Sequence, residues 1–300
     1  MKNLLFVFGF VLLFNSFLPA QSCVEKADAV SPVLSDAARE NYEAKLAEAK
    51  ADYEKSPTAD NLIWLGRRTA YLGRYKEAIE IFTEGAEKFP RDARFLRHRG
   101  HRLITLRCFD DAVRDFERAA ALVKGKKDET EPDGLPNARG IPTSTLKSNI
   151  FYHLGLAYYA KGDFKNALRA YREAEKVSLN PDMSVATKHW LYMTLRRLGK
   201  TKEAARAVAG VKDGLDIIEN DDYYKLIKLY QGKIKAEELE KEIGAENDSL
   251  SSASLGYGLG NWYLYNGRKA DAGRIFRRIT AGDQWASFGF IAAEAELSRK

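Results

Sequence analysis

The stretch LGRYKEAIEIFTEGAEKFP, Leu72–Pro90, sets Gly73 ahead of a helical run that carries Ala78 and Phe82 one turn apart and stops at Pro90. The arrangement returns 34 residues later, where Gly66, Ala78 and Phe82 align with Gly100, Ala112 and Phe116. The spacing inside each unit is equally fixed. Gly66–Ala78, Gly100–Ala112, Gly155–Ala167 and Gly260–Ala272 are all 12 apart, and each alanine is followed four residues on by Phe82, Phe116, Tyr171 or Phe276. Two antiparallel helices that cross closely need small side chains at the crossing, and a ring one turn further fills the gap beside it. Each buried ring contributes about 1.5–3 kcal/mol. The spacing therefore predicts helix pairs with these rings in the core. Gly73, Gly162, Gly199, Gly232 and Gly267 mark the turns, where a helix end favours a left-handed residue.

These units resemble tetratricopeptide repeats, a 34-residue helix-turn-helix family with the pattern W-x2-L-G-x2-Y, then A-x3-F, then P. Residues 59–92 match through Leu65, Gly66, Ala78, Phe82 and Pro90, with Leu62 and Thr69 at the Trp and Tyr positions. Residues 93–126 match through Leu96, Gly100, Ala112, Phe116 and Ala119 and lack the proline. The best copy is 148–181, with Phe151, Leu154, Gly155, Tyr158, Ala167, Tyr171 and Ala174. Residues 185–218 keep Leu191, Ala204 and Val208 but place Tyr192 at the Gly position; a degenerate pair spans Asp222–Ile243; and 253–286 recover the pattern through Leu259, Gly260, Tyr263, Ala272 and Phe276. The resemblance implies an all-α, right-handed superhelical solenoid.

A stacked array must cover its terminal units. Asp36–Lys55 reads as a helix with Tyr42, Leu46, Ala49 and Tyr53 on one stripe, packing on the first repeat. At the other end DQWASFGFIAAEAELSRK suits a C-terminal capping helix: Asp283 at its start, Trp285, Phe288, Ile291 and Ala295 on one side, and Glu294, Glu296 and Arg299 facing water. The repeat domain is thus expected over 36–300. Its period breaks once, because Gly100 and Gly155 stand 55 apart, and the extra residues form a loop insert at 125–147. The apolar GLPNARGIP in this insert argues for packing against the array; its prolines and glycines fit plain disorder as well.

The first 22 residues read as a signal peptide, with Lys2, the apolar run Leu4–Phe14 and small residues for cleavage. AQSC resembles a bacterial lipobox, with Ala20 where Leu is commonest and Gln21 where Ala or Ser is expected. Lipidation of Cys23 and ordinary cleavage after Ala20 or Ser22 both fit, and residues 23–35 become a tether. The implied address is the bacterial periplasm or the outer membrane, with membrane contact only through such an anchor. Cys108 reads as a small buried apolar residue, and a Cys23–Cys108 bridge across the tether is the less favoured alternative. The formal net charge of +6 is a mild excess that gives no reason to expect nucleic acid.

No stretch fits a catalytic or phosphate-cradling motif, so neither an enzyme nor a cofactor is expected. GYGLG, Gly256–Gly260, belongs to a helix of the last repeat, where small residues serve packing, and His98 with His101 lack the further ligands of a metal site. What remains is RFLRHRGHRLITLR, Arg94–Arg107. In the family resembled, the first helix of each repeat lines the concave surface, which by position implies Arg67, Tyr71, Arg94, Arg97, His101, Tyr152, Tyr159, His189, Arg196, Arg197, Tyr257, Asn261 and Tyr265. Such a basic, aromatic groove suits a protein or peptide that is acidic or carries a free carboxylate. A solvated charged helix face fits the same arginines. A second expectation is a receptor-like binder of a small anionic or carbohydrate ligand, with the 125–147 insert as a lid.

Overall fold

A methyl group placed on Gly66, Gly100, Gly155 or Gly260 would come within 2.5, 2.8, 2.6 and 2.6 Å of the rings of Phe82, Phe116, Tyr171 and Phe276 respectively. Only a hydrogen fits at each crossing, which is the reason for the fixed glycine-to-ring spacing. The computed structural model describes residues 23–245 and 250–299; the export segment expected over 1–22 lies outside them. After a short α1 (Cys23–Lys26) and the long α2 (Asp36–Lys55) come six hairpins. They are α3 (Ala59–Tyr71) with α4 (Tyr75–Lys88), α5 (Ala93–Thr105) with α6 (Phe109–Val123), α7 (Leu146–Lys161) with α8 (Phe164–Val177), α9 (Pro181–Arg197) with α10 (Thr201–Ala209), α11 (Asp221–Tyr230) with α12 (Ala236–Ala245), and α13 (Leu250–Tyr265) with α14 (Lys269–Thr280). A last helix, α15, spans Phe288–Ser298.

Each hairpin stacks on the next through its second helix, and the six first helices form the inner wall of one solenoid. Side-chain caps fix where helices begin: Ser35, Thr58, Asp163 and Asn180 each accept a backbone N–H from the first turn of the helix that follows. The turn glycines Gly73, Gly162, Gly199, Gly232 and Gly267 all have φ between 71° and 84°. The second hairpin puts Arg107 at that place, at φ 61°, one period after Gly73. Gly258 packs against Leu226 and Gly260 against Phe276, so the GYGLG run serves helix contact.

Three expectations are corrected. Cys23 and Cys108 form a disulfide, the pairing the sequence disfavours, so Cys108 is buried but is not a free thiol. The bridge forms because residues 23–35 fold back on the first hairpin, with Pro32 against Gly73 and Lys76 Nζ donating to the Glu25 carbonyl. Asp283 does not start the last helix. Residues 283–287 form turns, and Ser287 accepts from Phe290 N–H to begin α15. Nor does Glu296 face water: its side chain is 4% exposed and lies among arginines.

The insert lies along the inner wall. Its ends pair, with Glu131 N–H donating to Ser144 O and Leu146 N–H to Glu129 O. Its middle crosses the first hairpin, where Arg68 donates to the Gly134 carbonyl and Gly134 sits on Tyr71 and Arg67. On its far side Arg139 pairs with Asp216, and Asn137 and Thr143 both donate to Glu219.

Candidate functional site

The inner wall gathers most of the side chains expected there, but it is filled rather than open. Arg67 lies over the Trp64 ring beside the insert, and Tyr71 packs on Tyr42. Arg97, 9% exposed, places Nε 3.0 Å from Glu131 Oε2, close enough for an ion pair though not aligned for a hydrogen bond. Its Nη1 reaches His98 Nδ1 at 3.0 Å, and His98 Nε2 lies 3.3 Å from the other Glu131 oxygen. Burial and then the Arg97 charge hold His98 far below the usual imidazole pKa. The neutral ring can therefore accept from Arg97 on one nitrogen and donate to Glu131 on the other. Asn149 Nδ2 donates to Glu131 at 2.9 Å and completes a built carboxylate site.

A second carboxylate is held at the other end of the wall. Glu296 on α15 meets Arg197 Nη1 at 2.6 Å and Arg299, and the Tyr257 hydroxyl lies 3.4 Å away. Arg299 also donates to the Tyr159 and Ala160 carbonyls at the end of α7. The Tyr159 hydroxyl, pushed up to about 12 by burial, receives Tyr257 O–H and Asn261 Nδ2. Between the two carboxylate sites, His101 packs at a tilt against His153 and Phe288. Burial drives His153 down to about 3, and its Nδ1 donates to the Asn149 carbonyl. Tyr152 and His189 are buried aromatic wall: Tyr152 packs on Tyr171, and His189, also near 3 through burial, stacks on Tyr223 and meets the Tyr230 hydroxyl.

Two of the expected residues lie elsewhere. Arg94 turns to the hairpin end and pairs with Asp60 and Asp92, so it does not face the groove. Arg196 lies over the Tyr265 ring and donates to Tyr192 and Asn266 at the wall's edge. Sequence reasoning missed the acids that meet the arginines, Glu131, Glu294 and Glu296, and it missed Arg107. Arg107 donates to Glu294 at 2.6 Å and to the Trp285 carbonyl, and stacks on the Trp285 ring. Its signal was visible: an arginine one period after a turn glycine.

A tetratricopeptide-repeat family model matches residues 148–180, the hairpin with the fullest pattern. Among solved structures, a tetratricopeptide repeat protein from Parabacteroides merdae superposes with a TM-score of 0.50 at 15% identity, covering 86% of this chain and 93% of that one. The chain folds as a tetratricopeptide-repeat protein. Two other such structures are similar at lower scores. YrrB, described as a TPR protein with an unusual peptide-binding site, has a TM-score of 0.44 at 15% identity, over 83% of this chain and 97% of its own. The thermophilic TTC0263 from Thermus thermophilus has a TM-score of 0.39 at 17% identity, over 80% and 100%. No curated protein matches the chain.

One cleft opens on this array's inner face beside α15. It has a volume of about 320 Å³ and is lined by His101, Glu219, Asp222, Tyr223, Ser254 and Phe288. Its charged lining is acidic, because the arginines of the wall are already engaged by Glu131 and Glu296.

Proposed function

We propose that this tetratricopeptide array is an exported binding scaffold whose inner wall takes a protein or peptide segment through its carboxylates. One observation carries the reading: both arginine clusters of the wall hold a carboxylate, Glu131 on Arg97 and Glu296 on Arg197 and Arg299. Arginine forks in a half-buried wall bind carboxylates about twice as strongly as neutral acceptors, and the tyrosines around them add flat contact area. The export reading has two supports, the signal-like first 22 residues and a disulfide that persists in oxidising compartments.

The test uses the full chain against paired synthetic peptides, one rich in glutamate and the other with glutamine at the same positions. Binding of the acidic peptide alone, weakened by salt and by Arg197→Ala, is the expected result. Equal binding of both would overturn the carboxylate reading. For export, unreduced protein unfolded in denaturant should titrate no thiol, whereas two thiols in material taken from the native host would remove that support.

The small cleft favours a second reading. Its volume falls at the low end for small-molecule sites, and its carboxylates, tyrosine and serine suit a polyhydroxylated ligand better than an anion. The insert braces it, since Asn137 and Thr143 hold Glu219. A sugar that raises the melting temperature of the wild type but not of Tyr223→Ala would favour this reading.

A further inference from the structure

We propose that α15 is an internal ligand of the inner wall, seated where an acidic amphipathic helix of a partner protein binds, and that the partner takes the wall by displacing it. The proposal deepens the carboxylate reading and rests on it. Three observations lead here. First, α15 and the turn before it do more than cover the last hairpin. Phe288 packs at a tilt on His101 of α5 and edge-to-face on His153 of α7, Glu296 pairs with Arg197 of α9, and Gly289 lies against the backbone of Ala253 in α13. One helix thus spans the first helices of four hairpins, as a ligand of the groove would.

Second, it buries an acid as well as the apolar residues a cap would bury. A terminal helix of an array gains by burying apolar residues and turning charge to water. The helix does bury Phe290, Ile291, Ala292 and Ala293, but it also points the half-exposed Glu294 at Arg107 and buries Glu296 against Arg197 and Arg299. Drawing a carboxylate out of water, as at Glu296, has a desolvation cost that alanine at the same place would avoid, so stability alone does not explain this acid. A surface that recognises carboxylates explains both glutamates at once.

Third, the latch is strained. Arg107 stands at φ 61° where five other turns use glycine, an unfavourable backbone for a residue with a side chain. Its guanidinium holds Glu294 and the Trp285 carbonyl, and Trp285 stacks on Tyr75 of the first hairpin. Strain kept at a contact between the two ends of the array marks a device that opens. The partner helix this wall fits carries an aromatic residue followed six and eight positions later by carboxylates, as Phe288, Glu294 and Glu296 are spaced.

The experiment uses the full chain, wild type and Glu294→Ala/Glu296→Ala, with a labelled synthetic peptide of the sequence of residues 283–300 as probe. Apparent affinity scales with the fraction of molecules whose wall is free, so the double variant should bind the peptide roughly tenfold or more tighter than wild type. Amide exchange across α15 should rise in the variant while α7 and α13 keep their protection. No peptide binding by a variant whose α15 has loosened overturns the proposal, and so does an α15 that stays as protected as α13. A peptide with glutamine at both acidic positions separates the two readings: if it binds as well as the acidic one, the displaceable helix stands and the carboxylate preference falls. A swapped dimer of the variant, seen by light scattering, would assign the wall to a second copy and overturn the partner. Should the double variant fail to fold, Arg107→Gly opens the same latch from the other side with the residue other turns already use, and the same outcomes apply.

Discussion

Space for one methyl group decides whether a hairpin of this array can close. Alanine in place of glycine inside a helix ordinarily adds about 0.5–1 kcal/mol of stability. At Gly155 the added carbon would stand 2.6 Å from the Tyr171 ring, which is fully buried and has no room to turn. We expect Gly155→Ala to lose about 1–3 kcal/mol, as overpacked cores do, and its urea midpoint to fall accordingly. A midpoint at or above that of the wild type would mean that the ring does not sit on the glycine. Arg97 carries the second test at this scale. On an open charged face Arg97→Glu would change stability little. Buried beside Glu131, the new carboxylate removes the guanidinium paired with it and puts a like charge in its place, and a broken buried pair costs about 3–5 kcal/mol. An unshifted midpoint would return Arg97 to solvent.

Among the elements, α15 has the most to lose from a single atom change. Glu296→Gln keeps the shape and removes the charge that Arg197 and Arg299 share, leaving two guanidinium groups facing each other across a neutral amide. We expect a loss of about 2–3 kcal/mol, near the value of a hydrogen bond to a charged group, with the melting transition and amide exchange of α15 as the readout; no change in either would put Glu296 in water. The hairpins themselves were legible in the sequence because their logic is local. Gly66, Ala78 and Phe82 lie within one helix pair, so spacing alone reports the crossing, and 59–92, 148–181 and the Asp36–Lys55 helix could be read from it. The orientation of α15 was not legible. Glu294 and Glu296 look like an ordinary solvated face, and their partners, Arg107 and Arg197, lie 187 and 99 residues away. The inner-wall residues were found for the same local reason, by their position in the repeat. Their burial was not, since it depends on the insert and on α15 folding back. Cys23 was misjudged likewise: a tether that looks free in sequence is pinned by Pro32 on Gly73.

At the scale of the whole molecule, the closed array should report acid through its histidines. His153 and His189 stay neutral in the fold because burial lowers both to about 3, whereas an unfolded chain protonates them near pH 6.5. With the folded pKa depressed, the unfolded state binds the extra proton first. The stability these rings permit is therefore complete above pH 6.5 and is lost as pH falls toward 3, at about 1.4 kcal/mol per pH unit for each ring. By pH 5 the loss is about 2 kcal/mol per histidine. Between pH 6.5 and 5 the imidazoles of the unfolded chain gain their protons, so the slope in that window reports the buried rings. His153 is the informative site, because it sits between α5, α7 and α15 beside His101 and feels the charges of Arg97 and Arg102. His153→Gln can still donate to the Asn149 carbonyl but has no proton to gain. Chemical denaturation at pH 7, 6 and 5 should give a falling midpoint in the wild type and about three-quarters of that slope in the variant, because burial lowers His98 and His101 as well; identical slopes in the two proteins would mean that the ring is hydrated and the interior of the array is open to water.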